Sequence, residues 1–277
     1  MTSSVIVWVD GDLLPVEQAR VSPLDHAVLT GDGVFETLRV YRGVPFAVRR
    51  HLDRLARSAA GLRLPLPDPA MIRSALDEVV RANDFAECRL RVTVTGGVGS
   101  LGSDRAEVRP TVIVAAAPLT AWAPLTDVVV VPWPRNERGA MVGVKTVSYA
   151  ENVVALAYAR ERGAGEAVFG NLRGDLCEGT GTNVFVGTGG RLTTPPLSAG
   201  CLAGVTRELL AELVDVDEVD LPLSSLAAAH EAFVTSSTRE VQPIRAVDGA
   251  VLAAAPGPLT RSAAAAFSAL LARDLDP

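Results

Sequence analysis

Lysine is almost missing from this chain: of its 26 basic residues, 25 are arginine and only Lys145 is lysine. Cysteine is nearly as scarce. Cys88, Cys177 and Cys201 are odd in number, far apart and without a C-x-x-C pair, which excludes a disulfide framework and argues against a zinc cluster. The three histidines, His26, His51 and His230, are equally scattered, so no metal centre is expected. No G-x-S-x-G elbow supports a serine hydrolase. No run approaches the roughly 18 consecutive apolar residues of a membrane span. "MTSSVIVWVDGD" lacks a basic start and a cleavage site, so a cytoplasmic location is expected. Unopposed positive charge is absent too. The net charge is −6, the pI is near 5.2, and the arginines are spread among carboxylates, which excludes a nucleic-acid surface.

What is present is a large apolar fraction, 48% with a mean hydropathy of +0.27, enough for a substantial core in 277 residues. "SVIVWVDGDLL" predicts a hairpin turning at Asp10-Gly11-Asp12, and "GVFETLRVYRGVPFAV" a second turning at Arg42-Gly43. Helical spacing (Leu52, Leu55, Ala59; Ile72, Leu76, Val79) predicts helices over 49–60 and 69–82, the second with Pro69 in its first turn. "CRLRVTVTG" and "RPTVIVAAAP" read as strands. "APLTAWAPL" reads as a linker. Beyond it come a strand at "TDVVVVPW", a helix over about 149–162 closed by Gly163, a hairpin "EAVFGNLRGDLCEG", strands "TNVFVG" and "EAFVTSS", a short helix after Gly204 and a terminal helix over 259–273. The expected fold class is α+β in two domains: a small one over 1–118, a linker over 119–123, and a larger one over 124–277 that carries the lysine.

"GVGSLG" at 97–102 formally matches a dinucleotide-binding fingerprint. That fingerprint works through a helix N-terminus, and here another strand follows, so a hairpin loop is expected.

Lys145 has a chemistry that arginine lacks. Arginine stays protonated, whereas a lysine amine can lose its proton on burial and form a Schiff base with an aldehyde. A bias towards arginine would replace every lysine kept for charge alone, but not one needed as a nucleophile. Met141, Val142, Val144 and Val147 surround it, so an interior segment is expected, where an unpartnered ammonium is costly. Pyridoxal phosphate is the usual aldehyde cofactor. It would need a carboxylate for its ring nitrogen and a cradle for its phosphate. Glu178, in the Gly-rich turn of "LCEGTGTNVFV", is either that carboxylate or a solvated turn residue. Val205 and Thr206, opening a helix after Gly204, either face an anion with free N–H groups or form an ordinary helix start. Ser236, Ser237 and Thr238 at a strand end, and Arg49 at a helix start, are phosphate candidates of the same kind.

Taken together, "GDGVFETLRVYRGVPFAVRRHLDRLARSA", "VKTVSYAENV", "GDLCEGTGTNVFV", "LAGVTRELL" and "EAFVTSSTREVQPI" resemble the class-IV (fold type IV) pyridoxal-phosphate enzymes over nearly the whole chain. These are branched-chain and D-amino acid aminotransferases and 4-amino-4-deoxychorismate lyase. The resemblance implies Lys145 as the Schiff-base lysine and Glu178 as partner of the pyridine nitrogen. Arg49, Val205, Thr206 and Ser237 become phosphate contacts, Tyr149 a cofactor-proximal residue, and Phe35 and Glu36 members of the substrate-facing strand. It also implies a two-domain fold with the cofactor between the domains, a small-molecule amine substrate, and a homodimer whose partner loop helps close the site. D-amino acid aminotransferases carry a basic carboxylate trap where this chain has Gly96-Gly97, and a tyrosine in place of Phe35. The branched-chain pattern from lysine to tyrosine is one residue longer than "KTVSY", while the lyases share the shorter spacing. The expected activity is therefore an aminodeoxychorismate lyase releasing pyruvate and 4-aminobenzoate, with an aminotransferase as the alternative and a catalytically silent cofactor-binding protein as the second.

Overall fold

A computed structural model describes residues 4–105 and 109–277. The chain forms two compact units. One comprises Met1–Thr120, Val144–Tyr149 and Asp274–Pro277; the other comprises Ala121–Gly143 and Ala150–Arg273.

The first unit is built from β1 (Ile6–Val9), β2 (Asp12–Pro15), α1 (His26–Thr30), β3 (Gly33–Tyr41), β4 (Val44–Pro45), α2 (Val48–Gly61), α3 (Pro69–Asn83), β5 (Glu87–Thr95) and β6 (Val112–Pro118). Its strands make a six-stranded sheet in the order β2-β1-β6-β5-β3-β4. In β5 the period-2 alternation is plain: Cys88, Leu90, Val92 and Val94 are buried, while Arg89 and Arg91 are exposed. Register pairs Leu38 with Leu90, Glu36 with Val92 and Val34 with Val94, so Glu36 shares the face of the apolar core. The stripes of α2 (Leu52, Leu55, Ala59) and α3 (Ile72, Leu76, Val79) complete that core. The "GVGSLG" stretch lies between β5 and β6 with no helix after it, and Val98 bridges Asp25.

Two short segments join this unit from far along the chain, through backbone hydrogen bonds. Phe35 N–H donates to Lys145 O (3.0 Å) and Val147 N–H to Gly33 O (2.9 Å), so 144–149 pairs with the start of β3. At the C-terminus, Ala47 N–H donates to Leu275 O (2.7 Å) and Arg49 N–H to Asp276 Oδ1 (2.8 Å). Lys145, expected in the 124–277 domain, thus belongs by its contacts to the first unit. Periodicity along the chain cannot reveal such long-range pairing. The lysine segment is also less interior than its valines suggest, since Met141 is exposed and Lys145 is half-buried.

The second unit contains β7 (Thr126–Val130), α4 (Ala150–Glu161), β8 (Glu166–Gly170), β9 (Leu176–Gly179), β10 (Asn183–Thr188), β11 (Arg191–Thr194), α5 (Val205–Leu213), β12 (Asp217–Glu218), β13 (Glu231–Ser236), β14 (Glu240–Val247), β15 (Ala250–Val251) and α6 (Pro258–Arg273). The strand order is β12-β11-β10-β13-β14-β7-β8-β9, with β15 on β14. β7 and β8 run parallel, which requires a crossover, and α4 supplies it. Phe185 and Phe233, paired across β10 and β13, stack at 4.7 Å on one face of the sheet, while the neighbouring pair Val184 and Val234 packs on the other with Val168 and Ile244.

Candidate active site

In the first unit, the backbone of Lys145 is held at both polar groups. Its carbonyl accepts from Phe35 on β3, and its N–H donates to Ser58 Oγ on α2 (3.1 Å). Ser148 Oγ donates to Gly31 O (2.7 Å), closing the segment onto the turn before β3. Gly31 has φ +69°, and a Cβ there would lie 2.6 Å from Ser148 Oγ, so both conformation and space require glycine.

The Lys145 amine lies 4.3 Å from the Phe35 ring centroid and 5.9 Å from that of Tyr149. The two rings meet edge to face at 5.3 Å, and the Arg91 guanidinium covers Phe35 at 3.7 Å. An amine, a guanidinium and two aromatic faces are thus gathered on one side of the sheet. Cation–π attraction and the apolar rings favour this cluster, while two nearby cations oppose it.

Glu36 lies on the other side. Phe35 and Glu36 are neighbours in a strand and therefore point to opposite faces, and the register with Val92 puts Glu36 in the core. Arg54 donates to both of its oxygens (Nε 2.8 Å, Nη2 2.7 Å), and His51 Nδ1 lies 2.6 Å from Oε2. Burial pushes this carboxyl up, but the charge and hydrogen bonds of Arg54, with His51, outweigh burial and hold it at about 2. An ionised carboxylate only accepts, so His51 presents Nδ1–H to it. Burial drives the His51 imidazole below its ordinary value despite Glu36, and so it is neutral. The expectation that Glu36 faces a substrate is corrected here: strand alternation turns it inward, and a buried ion pair absorbs its charge. Arg49, on the exposed side of the same helix, is fixed through its backbone to the C-terminal tail.

In the second unit, Glu178 sits on β9, half-buried. Its Oε2 accepts from Leu202 N–H at 2.9 Å, and Oε1 is 3.5 Å from Arg135 Nε, an ion contact. Arg135 stacks on Phe169 at 4.1 Å and reaches Asn152 Oδ1 at 3.1 Å and Glu151. The turn after Glu178 is organised by a second buried carboxylate. Glu166 accepts from the N–H groups of Ala167 (3.0 Å) and Thr180 (3.1 Å), the hydroxyls of Thr180 and Thr182, and Arg239 Nη2 at 3.3 Å.

The Leu202 that caps Glu178 leads directly into α5. Gly204 precedes the helix without any side-chain cap, and the first N–H groups of a helix have no intrahelical acceptor. A Cβ at Gly204 would lie 2.0 Å from Asn183 Oδ1, so only glycine lets this helix start approach β10. Val205 and Thr206 are buried in its first turn. Ser237 follows β13, half-buried, and Arg239 N–H donates to Ser236 Oγ at 3.1 Å.

The first unit therefore gathers Lys145, Phe35 and Tyr149; the second gathers Glu178 with the start of α5. These residues fit pyridoxal phosphate in kind: one amine for an aldehyde, one carboxylate for a ring nitrogen, and an uncapped helix start for a dianion. Sequence reasoning missed Arg91, Ser58, His51, Arg54, Arg135 and Glu166. Arg54 left a signal, being a charge on the apolar stripe of α2, whereas Glu166 opens a strand that is buried throughout.

The amino-transferase class IV family pattern matches residues 33–247. A putative branched-chain-amino-acid aminotransferase of Methanocaldococcus jannaschii is 34% identical over 257 residues, 89% of each chain. The aminodeoxychorismate lyase of Bacillus subtilis is 30% identical over 254 residues, 88% of this chain and 87% of that one. Among solved structures, the branched-chain amino acid aminotransferase of T.th., complexed with N-(5'-phosphopyridoxyl)-L-glutamate, superposes with a TM-score of 0.90 at 27% identity. It covers 98% of this chain and 95% of that one. A family match across both units, around a single lysine fixed at both backbone groups, places the chain in the amino-transferase class IV family of fold type IV enzymes that depend on pyridoxal phosphate.

Proposed function

We propose that the chain is an aminotransferase that moves an amino group between an amino acid with an aliphatic side chain and a 2-oxo acid. The likeness to branched-chain aminotransferases in both sequence and structure supports this reading over the lyase first expected. The observation that carries it in the molecule is the Lys145–Phe35–Tyr149–Arg91 cluster. Two aromatic rings suit an apolar side chain, and a guanidinium suits a carboxylate.

In this reading Lys145 would hold the cofactor's aldehyde through its amine, Glu178 would face the ring nitrogen, and the N–H groups of Val205 and Thr206, with Ser237, would hold the phosphate, while Arg49, on the exposed side of α2, takes no part in it. The cofactor, when bound, supplies an electron sink for the substrate's α-carbon. With the cofactor and substrate in place, the Lys145 amine would hold and move the proton at the substrate's α-carbon, a task that needs the amine free and uncharged. Tyr149 flanks the amine, its ring centroid 5.9 Å away. The protein works as a homodimer on small-molecule amines.

The lyase reading retains one support, the 30% identical lyase relative, which the short spacing from Lys145 to Tyr149 accompanies. A paired assay separates the two. Holoenzyme given L- or D-valine, leucine or alanine with 2-oxoglutarate is expected to form the new 2-oxo acid only when the acceptor is present. Pyruvate and 4-aminobenzoate released from aminodeoxychorismate without any acceptor would overturn the aminotransferase reading.

A further inference from the structure

We infer that Arg239 is a positioning residue that braces the turn carrying Ser237 against the turn following Glu178, so that one side chain aligns the phosphate contact and the ring-nitrogen contact of the cofactor. The inference deepens the reading above and rests on Glu178 and Ser237 facing that cofactor.

Strand pairing puts the two turns side by side. β10 and β13 run antiparallel, with Asn183 opposite Thr235. Residues 180–182, which lead into Asn183, and residues 237–239, which leave β13, therefore lie at one end of the sheet. Each turn is closed on itself: Gly179 N–H donates to Thr182 O at 2.8 Å, and Ser236 pairs with Glu240. β8 brings Glu166 to the same end, because Val168 stands opposite Gly179. The backbone of each turn sets its own shape. The distance from one turn to the other is set by side chains.

Arg239 supplies the link. Its backbone belongs to the second turn, where its N–H donates to Ser236 Oγ at 3.1 Å. Its guanidinium leaves that turn: Nη2 donates to Gly165 O at 3.1 Å and meets Glu166 Oε2 at 3.3 Å. The other oxygen of the same carboxylate, Oε1, accepts from the Thr180 N–H at 3.1 Å and from the Thr180 hydroxyl. One carboxylate thus holds Arg239 on one oxygen and the Glu178 turn on the other. The outer side is closed by the segment before β7. Trp122 covers the guanidinium at 3.9 Å, and Gln242, which accepts from Nη1, donates to Ala123 O at 2.7 Å. The side chains of Arg239 and Glu166 are 6% and 2% exposed, so water does not loosen the pair. A planar fork aimed at Gly165 O, Glu166 and Gln242 fixes a direction that a point charge would not.

The charge of Arg239 and its placement have opposite consequences at the ring nitrogen. Loss of a nearby cation alone favours a protonated nitrogen, whereas release of the Glu178 turn disfavours it. Arg239→Gln is therefore expected to move the 15N resonance of ring-labelled pyridoxal phosphate towards the unprotonated position. It should also raise the Kd for pyridoxal phosphate about 10-fold, the equivalent of one lost hydrogen bond to a charged group. Glu166→Gln breaks the next link and should do both to a similar extent. Arg239→Gln/Glu166→Gln should bind no more weakly than either single variant, since the two residues act in series. In the unmutated protein, 5-fluorotryptophan labels Trp8, Trp122 and Trp133, and Trp122→Phe assigns the 19F resonance of Trp122. Inorganic phosphate added to the cofactor-free protein is expected to shift that resonance, because Arg239 moves with the turn that takes the anion. This readout needs no Arg239 variant to fold. The brace is overturned by an Arg239→Gln Kd within about 2-fold of wild type, or by single losses that multiply to about 100-fold in the double variant. A 15N shift towards the protonated position, or a Trp122 resonance blind to phosphate, overturns it equally. Unmutated protein that takes up no pyridoxal phosphate refutes the cofactor reading instead, and the Trp122 response to phosphate still decides the brace.

Discussion

Two buried carboxylates, one in each unit, solve the same electrostatic problem in different ways. Glu36 in β3 is met by a guanidinium and an imidazole from a helix more than ten residues away in sequence. Glu166 in β8 is met mainly by a turn: two backbone N–H groups and two threonine hydroxyls, with Arg239 as the only described cation. Charge compensation in the first unit ties a strand to a helix. Hydrogen bonding in the second shapes a turn, the one that follows Glu178. A carboxylate held by opposite charge is intolerant of losing its partner, since the survivor is stranded without water. A carboxylate held by several neutral donors loses them one at a time, each at modest cost.

The sharpest way to break this contrast is to remove the carboxylates. Glu36→Ala strands Arg54 and should cost about 3–5 kcal/mol of folding free energy, measured by denaturant unfolding. Glu166→Gln keeps an acceptor for Thr180 and should cost about 1–3 kcal/mol. Equal losses would mean that both sites work by the same mechanism.

Acid sharpens it next. Glu36 is depressed from 4.5 to about 2 in the fold, so the stability it contributes is fully present above the unfolded value and is lost as pH falls through the folded one. The window runs from about pH 5 down to about pH 2, and the total at stake is roughly 3 kcal/mol. His51 has the same sign: burial depresses it, so folding favours its neutral form and its contribution also fades with acid, beginning nearer its unfolded value of 6.5. The expected result is a wild-type stability that declines steadily over that range, and a Glu36→Gln variant, less stable at neutral pH, whose decline is visibly shallower. Parallel slopes for the two proteins would assign the acid sensitivity to other carboxylates.

The two carboxylates also differ in how legible they are in sequence. The strand around Glu36, "GVFETLRV", reads correctly as a strand, and alternation alone puts Glu36 on the Val34/Leu38 face. Resemblance to the family instead placed it with Phe35 on the substrate side, because a motif records which residues recur and not which way each points. Arg54 and His51, at helical spacing in an apolar stripe, carried the information needed to find the pair. Helices α2, α3 and α6 emerge within a residue or two of their expected bounds, since their periodicity is local. The pairing of 144–149 with β3 was not legible, because it joins segments about 110 positions apart through backbone groups that carry no side-chain signature. β11 and β14 were missed for a related reason: polar or short strands are defined by their partners in the sheet more than by their own pattern.

The smallest predicted effects test the same contrast at single hydroxyls. Thr180→Val removes a hydroxyl that donates to the charged Glu166 and should cost about 1.5–3 kcal/mol. Ser58→Ala removes a hydroxyl that accepts from the neutral Lys145 N–H and should cost about 1 kcal/mol, near the typical value for a buried neutral bond. Thermal unfolding of both variants at neutral pH gives the order directly. In the second unit the hydroxyl serves a charge, so the stability loss from Thr180→Val should shrink once Glu166 is replaced by Gln. The loss from Ser58→Ala should stay the same whether Glu36 is present or not, because the Ser58 hydroxyl binds a backbone N–H and no charge. If Ser58→Ala instead becomes cheaper in the Glu36→Gln background, the strand and the helix are coupled through more than their spacing, and the first unit works less differently from the second than its buried ion pair suggests.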